Sequence, residues 1–466
     1  MKQTLRNIYN AAVIPYHKIM GFIAATNYDY PASAMTVIGV TGTNGKTSTC
    51  LMIYNVLKEA GLKAGMITTV GNAITDGELK SDGGHMTTAD TYEVNKQIAE
   101  MRAAGVQYLV LEISSHGLAQ SRIFGVPIDI AVMTNVTPEH LDYHRTFERY
   151  RKAKMKLFQM AADNFRHGGH GIGIINEDDA SSNFFAKLVP NPVTYGIVNG
   201  DLKATRIKST DSGVEYYTRL NKDSYHIKVN IPGEFYVYNS LAAVAVCHEL
   251  GIDKKTIEKG IADIDGVPGR MNKVENDLGI NIIVDYAHTP DSYEKMLPSI
   301  RKETAGKVYI VCGAAGQRDD SKFPTMGRLA AKYSDLVILT EEDPKGPVRS
   351  RSEMLAKGIL AEGGKEGDDF IYIDDRMQAI AEAVNRAEKG DTILALGMGH
   401  QKKIDRASGT EDWIGDVEAV KKAINAKEES RVKETVKKAS KTTTKDSKAK
   451  KSAKPAKSTK KTTTKK

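Results

Sequence analysis

The feature that most constrains this chain is a β-branched run that ends on a glycine loop. Val37-Ile38-Gly39-Val40-Thr41 reads as a strand, and Gly42-Thr43-Asn44-Gly45 as a turn. Lys46-Thr47-Ser48 then opens a stretch with helical apolar spacing at Leu51, Ile53, Tyr54 and Leu57, so a helix is expected over 47–60. In that order, backbone N–H groups close around phosphate oxygens and the helix N-terminus adds its dipole. Lys46 is placed to meet β/γ-phosphates, and the Thr47 hydroxyl to meet Mg²⁺. An ordinary glycine-rich turn would not need all four parts in sequence. The loop says that a nucleotide is bound but not why: motor, kinase, GTPase and ligase all remain open.

The rest of the chain reads as two α/β units. From 36 to 268 the expected buried strands are 36–40, 108–111, 128–133 and 172–175. Such apolar runs between helices argue for a mostly parallel sheet. Residues 205–218 and 225–229 alternate like an antiparallel hairpin, with Thr210-Asp211-Ser212-Gly213 as the turn, and 238–250 returns to helix. A second, Rossmann-like α/β unit is expected over 269–427, with strands at 281–284, 308–312, 336–339, 370–373 and 392–396. Residues 1–35 suit one amphipathic helix packed on the body.

The charge balance separates a tail from this body. Residues 428–466 hold 14 Lys and 1 Arg against 3 Glu and 1 Asp, a net +11 in a chain of +8, so the remainder carries −3. With almost nothing apolar to bury, 428–466 is expected to be disordered. A weak, salt-dependent polyanion contact is expected of it, and loss of DNA retention at low salt on deleting 428–466 is its test. Cys50, Cys247 and Cys312 are three and widely spaced, which indicates neither a disulfide framework nor a zinc site. No apolar run reaches the ~20 residues of a membrane span. A cytoplasmic monomer is expected.

Eight segments in register narrow the function. They are Thr41–Thr49, Leu111–Leu118, Thr134–His144, Tyr150–Lys154, Pro232–Phe235, Pro268–Met271, Asp285–Pro290 and Gly397–His400. Together they resemble the Mur ligases of peptidoglycan synthesis, and most nearly the type that adds the third amino acid to UDP-N-acetylmuramoyl-dipeptide. The resemblance implies an ATP-dependent, ADP-forming ligase. A peptide carboxylate attacks the γ-phosphate to give an acyl phosphate, and the amine of an amino acid then displaces phosphate. Such chemistry rests on positioning and charge neutralisation.

The resemblance also assigns residues. Thr47 and Glu112 match ligands of one Mg²⁺, and His140 of a second. Lys154 matches a lysine carried as a carbamate, although from the residues alone it is a solvated lysine of a basic helix at 145–156. Gly42, Thr43, Asn44, Gly45, Lys46, Thr47, Ser48, Asn239, Arg270 and Asp285 match nucleotide contacts. Thr87, Thr88, Ser114, Gln120 and Arg122 match contacts to the muramoyl peptide. His288 is open between a site role and a structural turn.

Four departures bear on the substrates. Only residues 1–35 precede the P-loop unit, where the family carries a domain that holds uridine diphosphate, so UDP recognition is expected to be weaker, rebuilt or supplied otherwise. The family's amino-acid motif Asp-Asn-Pro-Arg reads Glu342-Asp343-Pro344-Lys345, with Arg318 retained. Gly-Lys-Gly-His-Glu reads Gly397-Met398-Gly399-His400-Gln401. Lys345 can match arginine's charge but not its fork, and Gln401 is neutral, so the amino acid added stays open. Phe-Asn at the adenine edge reads Phe235-Tyr236, which points to stacking. A folate-glutamate-type ligase and a non-catalytic polyanion-binding relative are the competing readings.

Overall fold

The computed structural model describes residues 2–74, 77, 79–80, 87–210, 212–317 and 319–449. The first half is built on an eight-stranded sheet of spatial order β3-β2-β4-β1-β5-β6-β7-β8. Its strands are β1 (Thr36–Thr41), β2 (Ala64–Thr68), β3 (Gly71–Ile74), β4 (Tyr108–Glu112), β5 (Ile130–Met133), β6 (Ile172–Asn176), β7 (Asn191–Gly196) and β8 (Leu202–Lys203). Every pair is parallel except β2–β3. Strands β1, β4, β5 and β6 are buried along nearly their whole length, as a sheet covered by helices on both faces requires. The four strands expected here are present.

The expected hairpin is a three-stranded antiparallel sheet of β9 (Thr205–Thr210), β10 (Gly213–Leu220) and β11 (Asp223–Val229), in the order β11-β10-β9. The expected turn at 210–213 falls between β9 and β10, and Asp211 within it lies outside the described residues.

The second half carries a six-stranded sheet, β12-β13-β17-β14-β15-β16. Its strands are β12 (Asn272–Lys273), β13 (Asn281–Asp285), β14 (Val308–Gly313), β15 (Leu336–Thr340), β16 (Phe370–Tyr372) and β17 (Thr392–Leu396). All neighbours are parallel except β12–β13. A small hairpin of β18 (Lys403–Arg406) and β19 (Gly409–Asp412) follows.

Both ends of the chain are helical in the described residues. The helix Lys2–Asn27 forms, but the described part of it packs by its small side: His17, Gly21, Ala24 and Ala25 are buried, while Tyr16, Ile19 and Phe22 are exposed. Close approach is the reason. A Cβ on Gly21 would lie 2.7 Å from both Phe124 Cβ and Thr91 Cγ2. At the other end, the helix Asp416–Ala449 runs past 428, where the basic tail begins. Lys and Ala are good helix formers and the helix is already nucleated by its packed first turns. Residues 450–466 lie outside the described residues.

That helix is anchored by a pair with no solvent exposure on either side. Arg376 donates to Asp416 Oδ1 and Oδ2 at 2.8 and 2.6 Å, and to the carbonyls of Leu396 and Glu341. Removing one partner strands a buried charge, at a cost of about 3–5 kcal/mol. Asp416→Ala is therefore expected to lower the unfolding free energy of the second half, read from urea titration, by that amount, whereas Arg376→Met/Asp416→Leu recovers most of it. Equal losses in both variants would refute this account.

Candidate active site

In open α/β sheets, ligands bind beyond the carboxyl ends of the strands. Here the carboxyl ends of both large sheets face one cleft. β1 delivers the glycine loop, β4 delivers Glu112, and β5 delivers Thr134 and Asn135. From the second half, β13 delivers Asp285, β15 leads to Glu342 and Asp343, and β17 leads to Gly397.

The loop is held from β5. Thr43 N donates to Asn135 O at 2.8 Å and Asn44 N to Asn135 Oδ1 at 2.9 Å, while Thr134 Oγ1 donates to Asn44 O at 2.6 Å. Gly45 has φ +82° and opens the helix Lys46–Glu59; a Cβ there would lie 2.3 Å from Asn239 Oδ1. Only glycine meets both demands. Lys46 Nζ donates back to Thr43 O at 2.9 Å.

A cavity of about 300 Å³ lies over the loop. Lys46, Thr47, Glu112, His140 and Lys154 share its wall with Thr87, Ser114 and Arg122 from the first half, and with Arg270, Asp343 and Gln401 from the second. Glu112 is buried, and its Oε2 accepts from Thr47 Oγ1 at 2.9 Å and from Thr69 N at 3.0 Å. Those two bonds satisfy Oε2 within the protein and seat Thr47 and Glu112 side by side, as two oxygen ligands of one Mg²⁺ would be. Among the described residues no three His, Cys, Asp or Glu side chains gather as a metal cage. An ion held here would complete its shell with phosphate oxygens and water.

Lys154 is not a solvated surface lysine. It is 1% exposed, its Nζ donates to Gly42 O at 2.7 Å, and it stands 4.5 Å from the centre of the Tyr150 ring. Burial, reinforced by the neighbouring Lys46 ammonium, holds its amine well below the ordinary lysine range, against a smaller pull from Glu139. The helix Phe147–Phe165 is amphipathic, and Lys154 falls on its inner face with Tyr150, Leu157 and Phe158.

His140 has a left-handed backbone (φ +56°) and packs edge-on to His116 at 4.8 Å. Asp343 and Lys345 are left-handed as well. Non-glycine residues in that region cost free energy and gather at functional sites. Next to the cavity, burial presses His144 down to about 3, helped by His116, and its Nε2 meets Ser115 Oγ at 3.0 Å.

The acceptor-side candidates form one network. Arg122 donates to Gln120 Oε1 at 2.8 Å and to Thr88 O at 2.6 Å, and Thr88 Oγ1 lies 3.2 Å from Ser114 Oγ. Ser114 also caps the short helix behind it through Gly117 N. Thr88 and Gln120 sit behind the cavity wall rather than on it.

A second, more apolar cavity of about 770 Å³ opens beside the loop. Asn44, Gly45, Thr47, Ser48, Asn239, Arg270 and Asp285 line it, as do Phe235, Tyr236 and Tyr238. Asn239 is buried and its Nδ2 has no hydrogen-bond partner, a donor placed for a ligand rather than for the fold. The volume and aromatic edge suit a nucleotide. Arg270 lies over the Tyr286 ring at 4.7 Å. Burial raises the Asp285 carboxyl, against Arg270 and two backbone N–H bonds at 2.6 Å.

Two expectations about the amine side are not met in the same way. Lys345 pairs with Asp405 at 3.0 Å and is absent from the cavity wall. Gln401 reaches the wall, with Nε2 3.4 Å from Asp343 Oδ2. Arg318 lies outside the described residues. Sequence reading gave no role to Glu139, Glu342 or Lys322, which all line the cavity. Glu342 is buried, its Oε2 has no hydrogen-bond partner, and burial raises its carboxyl to about 7. Its place in the Glu342–Lys345 motif was the available signal.

The fold and cleft define a P-loop ATP-dependent ligase made of two α/β halves. The family model described as "Mur ligase middle domain" matches residues 40–247, and "Mur ligase, glutamate ligase domain" matches 269–399. The UDP-N-acetylmuramoyl-L-alanyl-D-glutamate–2,6-diaminopimelate ligase of Clostridioides difficile is 39% identical over 392 residues, covering 82% of this chain and 78% of that one. Ligase 1 of the same name from Clostridium acetobutylicum is 36% identical over 388 residues, covering 82% and 77%. A solved structure of a ligase of that name superposes with TM-score 0.58 at 28% identity, covering 85% of this chain and 80% of that one. The chain belongs to the Mur ligase family and is an ATP-dependent, ADP-forming amide ligase.

Proposed function

We propose that this Mur ligase activates the carboxylate of a UDP-N-acetylmuramoyl-dipeptide with ATP and joins it to an amino acid, in peptidoglycan precursor synthesis. The observation that carries the reading is the gathering of Lys46, Thr47, Glu112, His140 and Lys154 around one small cavity. The printed names of the relatives at 36–39% identity support the acceptor.

Each residue has a task there. The loop amides and Lys46 bind the ATP phosphates, and Asn239 with the aromatic edge takes the base. Arg122, Ser114 and Thr87 orient the peptide so that its carboxylate faces the γ-phosphate. Mg²⁺ would be held by Thr47 and Glu112, and a second ion by His140 and a carbamylated Lys154; it supplies charge neutralisation. The second half closes the cavity to water and presents the amine to the acyl carbon. The chain acts as a cytoplasmic monomer. No helix among the described residues is long and apolar enough to cross a membrane. The basic tail adds a weak polyanion contact.

One assay tests the reading. ATP and Mg²⁺ are offered with UDP-MurNAc-dipeptide and each of several amino acids, and separately with a folate and glutamate. Phosphate release stimulated by the muramoyl acceptor is expected. Stimulation by the folate alone, or by no acceptor, would sink the proposal.

A further inference from the structure

Glu139 is a buried acid of the cleft without an assigned task. Its side chain is 5% exposed, and it stands where the two halves meet. From its own half, His140 Nε2 lies 3.6 Å from Oε2. From the second half, His288 Nε2 lies 3.3 Å and Lys322 Nζ 3.8 Å from Oε1. Oε1 is also without a hydrogen bond of good geometry. An isolated buried carboxylate would be expelled or protonated. This one is surrounded instead by His140, His288 and Lys322.

The geometry of Lys322 gives the arrangement a direction. Lys322 begins the helix that follows β14, and its side chain is only 12% exposed. It lines the 300 Å³ cavity together with Lys46 and Lys154. The acids near it on its own half, Glu342 and Asp343, lie on the same wall. His288 is fixed separately: its Nδ1 donates to Tyr286 O at 2.7 Å. What Glu139 fixes, then, is the place of Lys322 relative to the first half.

We propose that Glu139 is a positioning residue that seats Lys322 against the reaction cavity, and that Lys322 there meets an oxyanion of the reacting species. The positive charge from the second half is then present only when the halves are together, so ATP is not spent in an open cleft. Two oxyanions share this chemistry: the transferred phosphoryl group and the carboxylate of the incoming amino acid. This inference rests on the ligase reading above, and the experiment separates the two.

The test is a double-mutant cycle in the full-length protein on whichever acceptor supports turnover. Glu139→Gln and Lys322→Met are each expected to lower kcat/KM about tenfold or more, and the double variant to be no worse than the poorer single one. Lys322→Arg and Glu139→Asp are expected to recover much of the loss. A fall in kcat with KM for ATP and amino acid nearly unchanged assigns the phosphoryl group; a rise in KM for the amino acid assigns its carboxylate. ADP binding by titration calorimetry is expected to stay within about threefold in every variant, which shows that the nucleotide half is folded. Multiplying losses in the double variant, or a Glu139→Gln protein with normal kcat/KM, would overturn the inference. Turnover on a folate but not on a muramoyl acceptor would overturn the ligase reading instead, and the cycle would be run on the folate.

Discussion

Lys46→Ala leaves a folded protein that no longer turns over ATP. Lys46 donates only to Thr43 O within its own loop, so its loss breaks no contact between elements. The loop keeps its anchors to Asn135 and Thr134, and Gly45 keeps its place against Asn239. Stability should therefore change little. Catalysis should not survive. In phosphoryl transfer the protein contributes charge placed in advance, and removing one such donor costs about 10²–10³-fold or more in kcat. Burial lowers the Lys46 amine while Glu112 and Glu139 oppose that shift, and an anionic phosphate in the cavity favours its charged form further. Lys46→Arg should fail nearly as badly, because a planar fork does not replace a compact ammonium at one point. Steady-state kinetics with a thermal-shift control decide it. Residual kcat above about a tenth of wild type would mean that the loop amides alone neutralise the phosphates.

The strands that carry this site were legible because β-branched runs bounded by turns have few other uses. β1, β4, β5, β6 and the five long strands of the second half fall within a residue or two of their expected limits. The strands that were not foreseen are short or polar. β2 and β3 hold glycine and alanine, and β7 is mostly exposed at its start. Their place comes from neighbours, not from their own pattern. The N-terminal helix forms and packs, but which face it buries was not legible: the tight approach at Gly21 selects the small one. Within the site, residues fixed by the loop motif were readable one by one. Lys345 was not, because its charge is taken by Asp405 at 3.0 Å, 60 positions away in sequence. Glu139 and Lys322 escaped because their meaning lies in a contact between halves, which no local pattern encodes.

Lys154 shows how structure converts a bland residue into a testable one, and its substitution should have the second largest effect. A charged ammonium with 1% exposure, facing Lys46 and hydrogen-bonded to one carbonyl, would be a poor use of a buried position. A neutral amine is better suited to that place, and a neutral amine is a nucleophile. On the proposed reading its lone pair would add to the carbon of CO₂, one C=O π pair would move to oxygen, and a proton would be released, leaving an N-carboxylate. The change would turn the amine beside the cavity into an anion able to hold Mg²⁺ with His140. Lys154→Ala is therefore expected to lose about 10²-fold or more in kcat, because a ligand to the second ion is gone. Short carboxylates such as acetate or propionate should restore part of it by entering the vacated space. Lys154→Arg should not be rescued, since the guanidinium fills that space and does not form a carbamate. ¹³C NMR after exchange with labelled bicarbonate should show a carbamate signal in the wild type that Lys154→Ala lacks. Near-normal kcat in Lys154→Ala would remove the residue from the mechanism. A large loss with neither rescue nor a carbamate signal would mean that Lys154 serves only to brace Gly42 O, and the second ion would then rest on His140 and substrate oxygens alone.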